Sequence, residues 1–154
     1  MDLKDILSPG ALQPALNATS KKHLMQELSQ RAADSYGLDA RGAFEALLER
    51  ERLGSTGMGR GVAIPHARIE GLDRVVGVFA RLQKPLDYDA ADGEPVDLVF
   101  ALFAPGEAGA DHLRALARIS RSLRDASVCA KVRGADGATA IYAVLTNPVD
   151  SKAA

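Results

Sequence analysis

The sequence predicts an α/β fold, a single-domain layered sandwich in which a mixed β-sheet is flanked by helices. Three observations support this prediction. The chain has 154 residues, enough for one packed core. Two segments with helical apolar spacing come early, and two long apolar runs typical of buried strands follow before further helical segments. We expect one domain over residues 1–154, with its core at about residues 3–145.

The first third of the chain is predicted to be mostly helical. Residues 1–19 combine a few apolar side chains with two prolines and a glycine, which predicts a short element followed by a loop. Each of the next two segments starts after a residue type that caps helices and ends at a glycine. The pairs of start and stop residues are Ser20 with Gly37, and Asp39 with Gly54.

The middle and the end of the chain predict a loop, strands and then helices. Residues 54–61 contain four glycines, which predicts a loop with unusual backbone angles. Strands are expected at residues 62–64, 75–82 and 96–104, with a turn at Asp92-Gly93 between the last two. Asp111 is expected to cap a helix that runs to about Leu123. Two short helices are expected at residues 128–132 and 138–145.

Composition excludes several classes of function. Nineteen Lys and Arg residues balance twenty Asp and Glu residues, and aromatic residues make up 5%, so we expect no nucleic-acid partner. One cysteine, Cys129, cannot form an internal disulfide and indicates a reducing compartment. No apolar run approaches the roughly 20 residues that span a bilayer. We therefore expect a cytoplasmic protein without membrane insertion.

Among the three histidines, His66 has the most suggestive setting. It follows a glycine-rich loop, a short apolar run and Pro65, whose ring stiffens the backbone just before the imidazole. A neutral imidazole is a usable nucleophile near neutral pH. The loop can present backbone N–H groups, and the hydroxyls of Ser55 and Thr56, to an anion. A strand-end histidine satisfied by a backbone carbonyl is an equally weighted alternative.

Further polar residues fit an anion site, each with a structural alternative. His112 lies on the inward face of its predicted helix; it is either simply half-buried or donates a hydrogen bond to a phosphate. Arg50 either belongs to a solvated helix face or reaches an anion with its planar donor fork. A helical stripe is interpreted as solvated, although it could also meet an acidic partner. It consists of Arg114, Arg118 and Arg121.

Nucleotide and metal chemistry have little support. The glycine-rich loop lacks the Gly-Lys-Ser/Thr ending of a P-loop, and it precedes a strand rather than a helix, unlike a dinucleotide site. The His, Cys and carboxylate residues do not have the spacing of metal ligands. We expect neither a metal nor a cofactor.

Residues 48–66, LERERLGSTGMGRGVAIPH, resemble the signature of enzyme IIA domains of the bacterial phosphotransferase system, of the fructose/mannitol type. Within that family the chain is most similar to the nitrogen-regulatory branch. The similarity continues at residues 95–105 and 111–120 and covers about residues 3–145. It also implies an α/β sandwich with a mixed sheet.

The resemblance implies a role for each matching residue. His66 would carry the phosphoryl group on Nε2, Arg50 would stabilise its charge, and His112 would donate a hydrogen bond to the group or to its surroundings. The loop beside the site would be formed by Gly54, Ser55, Thr56 and Gly57.

The resemblance also implies partners. A small phosphohistidine carrier protein of the nitrogen branch would donate the phosphoryl group, and potassium-transport proteins or sensor kinases would be regulatory targets. Two alternatives remain open. The chain could be a sugar-specific enzyme IIA that passes phosphate to a separate IIB protein, or a binding module that no longer accepts phosphate.

Overall fold

A mixed β-sheet forms the centre of the computed structural model, which describes residues 1–107 and 109–147. The helices in this part of the chain are α1 (Leu3–Ile6), α2 (Lys21–Tyr36), α3 (Ala40–Arg52), α4 (Ala110–Arg124), α5 (Ala126–Gly134) and α6 (Ala138–Thr146). The strands are β1 (Leu7–Leu16), β2 (Gly57–Gly59), β3 (Val62–Ala63), β4 (His66–Ile69), β5 (Val76–Leu86) and β6 (Val96–Pro105). The predicted α/β class is confirmed.

The sheet is built around an antiparallel pair, β5 and β6. β1 joins β5 in parallel, β3 and β4 both join β6 in parallel, and β2 pairs antiparallel with β3. Almost every residue of β6 is buried, as expected for an apolar run covered on both faces. Helices α2 and α3 pack on each other, α2 also on β1 and β5, and α3 on β4. Helix α4 packs on β6, α6 packs on β1, and α5 packs on α4 and α6.

The caps predicted for α2 and α3 are confirmed. The Oγ atom of Ser20 accepts a hydrogen bond from the backbone N–H of His23 at 3.0 Å. The carboxylate of Asp39 accepts one from Gly42 at 2.9 Å. Gly37 ends α2 with a φ of 74°, a left-handed conformation that glycine adopts without steric cost.

The expectation of a loop before residue 20 is wrong, because residues 7–16 form strand β1. Pro9 and Pro14 lowered the strand signal, since proline cannot donate to a strand ladder. Within the described residues, β1 lies at the edge of the sheet and pairs with β5 alone, through an irregular register. An edge strand has one unpaired side, and there a missing N–H costs little.

Other boundaries differ from the prediction as well. The strand expected at residues 75–82 runs on to Leu86 in β5, and the helix expected at residues 128–132 is longer at both ends. Part of the glycine-rich segment, Gly57–Gly59, is strand β2 rather than loop. Asp111 does not cap α4, because Gly109, with a φ of 54°, lets the helix start earlier. Asp111 instead lies in the first turn, where its carboxylate accepts a hydrogen bond from Arg114 at 3.1 Å.

Strands β3 and β4 lie in line along the same side of β6, and Ile64 and Pro65 separate them. The register continues across the gap: Ala63 is opposite Val99, and His66 is opposite Leu102. The Pro65 carbonyl still accepts a hydrogen bond from the N–H of Leu102, at 2.9 Å. His66 is thus the first residue of β4, and its backbone is held directly by the central strand.

Candidate functional site

A shallow cavity of about 440 Å³ lies where α3, β4 and α4 meet. Each of these elements contributes charged or titratable side chains to its wall. They include Arg50 from α3, His66 and Arg68 from β4, and His112 from α4. The cavity therefore brings together Arg50, His66 and His112, which lie 16 to 62 positions apart in the sequence.

The His66 ring is oriented by a hydrogen bond to the backbone carbonyl two residues earlier. Its Nδ1 atom lies 2.8 Å from the carbonyl oxygen of Ile64. A carbonyl oxygen only accepts hydrogen bonds, so Nδ1 must carry the proton. In the neutral ring Nε2 is then unprotonated, and its lone pair is available for attack on an electrophile.

His112 faces His66 from the first turn of α4. The two ring centroids are 5.7 Å apart, and the ring planes meet at 69°. His112 is buried, yet neither of its ring nitrogens has a hydrogen-bond partner among the described residues. Leaving such groups unpaired costs free energy, so a site with an unpaired imidazole favours a ligand that can bind to it.

Both histidines are biased towards the neutral form. Burial lowers the pKa of His66 most, and the Arg50 charge lowers it further, while the Ile64 carbonyl and the Glu51 charge act in the opposite direction. Burial also lowers the pKa of His112, helped by His66 and Arg68.

Arg50 is placed at the rim of the cavity by the end of α3. One of its Nη atoms donates a hydrogen bond to the carbonyl oxygen of Gly54 at 3.1 Å. No ion pair in the described part of the chain involves Arg50, whereas Arg52, two residues later, pairs with Glu49 at 3.2 Å. Most of the guanidinium donors of Arg50 therefore remain available to an anion.

The loop that precedes β2 supports the site rather than lining it. The Thr56 carbonyl accepts a hydrogen bond from the N–H of Ile64 at 3.0 Å, which ties the loop to the backbone before His66. Ser55 turns back on the loop, since its Oγ accepts from the N–H of Gly57 at 3.1 Å. The expectation of a free Thr56 hydroxyl is wrong: the side chain is buried and bonded to Glu51 and Tyr88.

Glu51 is the centre of a buried polar network beside the site. Its carboxylate pairs with Lys21 of α2 at 2.8 Å and accepts a hydrogen bond from the Tyr88 hydroxyl at 2.9 Å. It also accepts from the hydroxyl of Thr56 and from its backbone N–H, the latter at 3.2 Å. Burial raises the pKa of Tyr88, and the charge of Glu51 adds to this, so the phenol stays protonated. The network joins α2 and α3 to the loop.

A model of the family described as "Phosphoenolpyruvate-dependent sugar phosphotransferase system, EIIA 2" matches residues 5–147. The chain belongs to this family.

Known relatives extend over nearly all of this enzyme IIA. It is 51% identical to the nitrogen regulatory protein of Bradyrhizobium diazoefficiens over 148 residues, which are 96% of this chain and 97% of that protein. It is 36% identical to the fructose-specific EIIA component of Haloferax volcanii, over 85% of this chain and 86% of the relative. The crystal structure of IIA-Ntr from Neisseria meningitidis superimposes with a TM-score of 0.86 at 36% identity, covering 92% of this chain and 97% of that one. The resemblance to the nitrogen-regulatory branch is confirmed.

Sequence reasoning missed two contributors to the site of this enzyme IIA. Glu51 was not singled out, and two of its partners, Lys21 and Tyr88, are 30 and 37 residues away in the sequence. Arg68 was not singled out, although it follows His66 by two residues. The period-2 alternation of a strand could have found it, had residues 66–69 been predicted as a strand.

Two classes of feature are not found in the described residues. Within residues 1–107 and 109–147, no group of three His, Cys, Asp or Glu side chains is arranged to hold a metal ion. None of the helices in the same ranges combines the length and the apolar character needed to cross a membrane.

Two members of the predicted arginine stripe on α4 have partners on the same helix. Arg114 pairs with Asp111 at 3.1 Å, and Arg118 donates a hydrogen bond to the Ser122 hydroxyl at 2.7 Å.

The lowered histidine pKa values predict a loss of stability in mild acid. In the unfolded chain both histidines have the ordinary pKa of about 6.5, and in the folded chain their pKa values are lower. Between those pKa values the unfolded chain binds more protons than the folded one. The free energy of unfolding therefore falls as the pH drops through about 6.5. Urea denaturation at about pH 7.5 and about pH 5.5 measures this fall. His112→Asn removes one of the two groups and should show a smaller fall. Equal falls in the variant and the wild type would contradict the assignment to His112.

Proposed function

We propose that this chain is a phosphohistidine-carrying regulatory enzyme IIA of the nitrogen phosphotransferase system. It accepts a phosphoryl group on Nε2 of His66 from a small phosphohistidine carrier and regulates partner proteins according to its phosphorylation state. The observation that carries the proposal is the 2.8 Å contact between Nδ1 of His66 and the Ile64 carbonyl. That contact holds the proton on Nδ1, leaving Nε2 unprotonated at the cavity that His112 also lines.

The proposed step is an in-line displacement at phosphorus. The Nε2 lone pair forms the new P–N bond while the P–N bond of the donor phosphohistidine breaks, and its electron pair returns to the donor imidazole. The proton on Nδ1 of His66 stays in its hydrogen bond with Ile64, where it shares the positive charge that develops on the ring. No redox change, metal or nucleotide is needed, because the donor already carries an activated phosphoryl group.

Arg50 and His112 stabilise the transferring group in this proposal. The group spreads negative charge over its equatorial oxygens, and preorganised donors facing it lower the barrier. Arg50 supplies a guanidinium that no carboxylate of the described part neutralises, and His112 supplies a neutral ring N–H. The unpaired nitrogens of His112 would gain their partner when the phosphoryl group arrives.

The regulatory output follows from the charge change. A phosphoryl group adds up to about two negative charges and three acceptor oxygens at the cavity rim. A partner that covers unmodified His66 would meet repulsion and a desolvation cost at the modified one. We propose potassium-transport proteins or sensor kinases as such partners, with the exchange taking place in the cytoplasm.

The direct test is phosphorylation of the purified protein. Incubation with phosphoenolpyruvate, enzyme I and a nitrogen-branch phosphocarrier should add one phosphoryl mass through an acid-labile, alkali-stable bond. Intact-protein mass spectrometry before and after acid treatment measures both properties. The absence of label from the nitrogen-branch carrier and from a sugar-branch carrier alike would leave only the binding-module alternative.

A sugar-specific role is the second candidate, since a relative of similar length carries the name of a fructose-specific component. That role requires onward transfer to a IIB protein. Mixing the phosphorylated chain with purified fructose-type and mannitol-type IIB domains separates the candidates. Rapid loss of label to a IIB domain supports sugar uptake, while retention of the label supports regulation.

Replacing Arg50 by alanine should slow phosphoryl acceptance by about 10²-fold, the usual effect of removing a donor that stabilises developing charge. The fold should persist, because the side chain makes a single hydrogen bond to the Gly54 carbonyl. Arg52→Ala is the matched control: it removes the same charge two residues away, where the arginine is exposed and paired with Glu49. Quench-flow labelling should give near wild-type rates for the control. Equal labelling rates for Arg50→Ala and Arg52→Ala would show that Arg50 has no special role in phosphoryl acceptance.

A further inference from the structure

Arg68 is a cation of the cavity to which no role has yet been assigned. It lies two residues after His66 on β4, and alternate residues of a strand project from the same face about 6–7 Å apart. It contributes to the wall of the same cavity as His66 and His112. Its partner position in the register, Ala104 of β6, holds its backbone to the central strand.

The guanidinium of Arg68 is available for a ligand. Its one hydrogen bond in the described part is a long contact, 3.4 Å, from Nη1 to the Gly106 carbonyl, and no ion pair there includes it. Structural arginines in this chain behave differently. Arg81 donates to the carbonyls of Pro14, Val132 and Ala135 at 2.7–3.0 Å, and Arg133 forms a two-pronged contact with Asp97.

We infer that Arg68 is a second guanidinium ligand of the phosphoryl group on His66, and that it acts with Arg50 from a separate element. This inference rests on the proposed function. The one carboxylate residue in the cavity wall, Glu49, pairs with Arg52. Arg50 and Arg68 therefore leave a net positive charge beside the two imidazoles, and a doubly negative phosphoryl group would compensate it. Charge-assisted hydrogen bonds from guanidinium to phosphate are among the stronger polar contacts in proteins.

The electrostatic influence of Arg68 on the cavity is already present in the unmodified protein. Its charge helps to lower the pKa of His112. The other charged or titratable groups of the cavity are His66 on β4 and Glu49 and Arg50 on α3, and Glu49 pairs with Arg52. On α4 itself, Asp111 and Arg114 are the nearest such residues in the sequence. Because Arg114 is paired with Asp111 at 3.1 Å, its charge is largely compensated. Arg68 is therefore the uncompensated cation that acts on His112.

The kinetic test compares Arg68→Gln, Arg68→Lys and the wild type in the phosphoryl-acceptance assay. We expect Arg68→Gln to lower the rate about tenfold, a smaller effect than that of Arg50 because water screens an exposed charge. Arg68→Lys should restore part of the rate by returning the charge without the planar fork. If the wild type is labelled and Arg68→Gln is labelled at the same rate, the inference about Arg68 is overturned and the proposed function stands. A wild type that takes no label from either carrier would overturn the proposed function as well.

A second measurement tests, without any phosphoryl transfer, whether the charge of Arg68 lies close to His112. In an NMR titration of the unmodified protein, the His112 ring should titrate at a higher pH in Arg68→Gln than in the wild type, because a nearby positive charge has been removed. Arg114→Gln is the matched control on α4 and should give a smaller shift. A His112 titration that moves with Arg114→Gln but not with Arg68→Gln would place Arg68 away from the cavity and overturn the inference.

Discussion

Replacement of His66 by alanine is expected to abolish phosphorylation by the carrier, with no residual fast phase. The variant loses Nε2 of His66, the nucleophile of the proposed function, and alanine offers no alternative nucleophile. His112 is not expected to substitute as the nucleophile, because both of its ring nitrogens are buried. Intact-protein mass spectrometry after incubation with the full donor chain measures the loss.

Matched histidine variants make this result specific. His23→Ala removes the histidine on α2, which lies outside the cavity, and should be labelled at the wild-type rate. His112→Ala should be labelled more slowly but completely, since it removes a hydrogen-bond donor and not the nucleophile. His66→Ala should still fold, because its side chain makes a single hydrogen bond, worth about 1 kcal/mol. Full labelling of folded His66→Ala would refute the assigned site.

Replacement of Glu51 by glutamine is expected to lower the free energy of unfolding by about 2–4 kcal/mol. The carboxylate is only 7% exposed and receives donors from Lys21, Tyr88 and Thr56. The amide of glutamine would turn N–H groups towards some of those donors and would leave the Lys21 charge without its partner. Lys21 retains some contact with water, which keeps the loss below that of a fully buried pair.

Glu49→Gln provides the control for this prediction. Glu49 lies two residues earlier on α3 and also pairs with a cation, Arg52, but its side chain is 76% exposed. Exposed pairs of this kind contribute at most about 1 kcal/mol. Urea denaturation at neutral pH compares both variants with the wild type. A similar small loss in the two variants would mean that the Glu51 network adds little to stability.

The Glu51 variant should also slow phosphoryl acceptance, through position rather than contact. The network holds Thr56, and the Thr56 carbonyl holds the N–H of Ile64, whose own carbonyl orients His66. Weakening the contact between Glu51 and Thr56 should broaden the distribution of His66 ring orientations. Such a variant would therefore show both a lower stability and a lower rate, whereas Arg50→Ala changes the rate with little loss of stability.

Local chemistry was enough to predict much of this fold. Capping at Ser20 and Asp39 depends on a side chain and a backbone group three residues apart, so the sequence alone carries the information. The position of the buried strand β6 was also predicted from the sequence, because an apolar run of that length is unfavourable anywhere but in the core. β1 and β4 were missed for the opposite reason. Their strand geometry is imposed by pairing with β5 and β6, which overrides the local signal of prolines and charged residues.

In the candidate site, too, some features were predictable from the sequence and others depend on the tertiary structure. By itself the sequence determined which residue types were present, that Pro65 stiffens the approach to His66, and which family the chain resembles. Only the tertiary structure decided which nitrogen of His66 is free, that His112 faces it at 5.7 Å, that Arg68 joins the cavity, and that Thr56 turns inward to Glu51. The His66–His112 pair joins segments far apart in the chain. The contacts of His66 with Ile64 and of Thr56 with Glu51 are short in sequence, but they also depend on distant partners, the pairing of β4 with β6 and the bond from Thr56 to Tyr88. Such contacts form only when the sheet and both groups of helices pack together, and no local pattern encodes them.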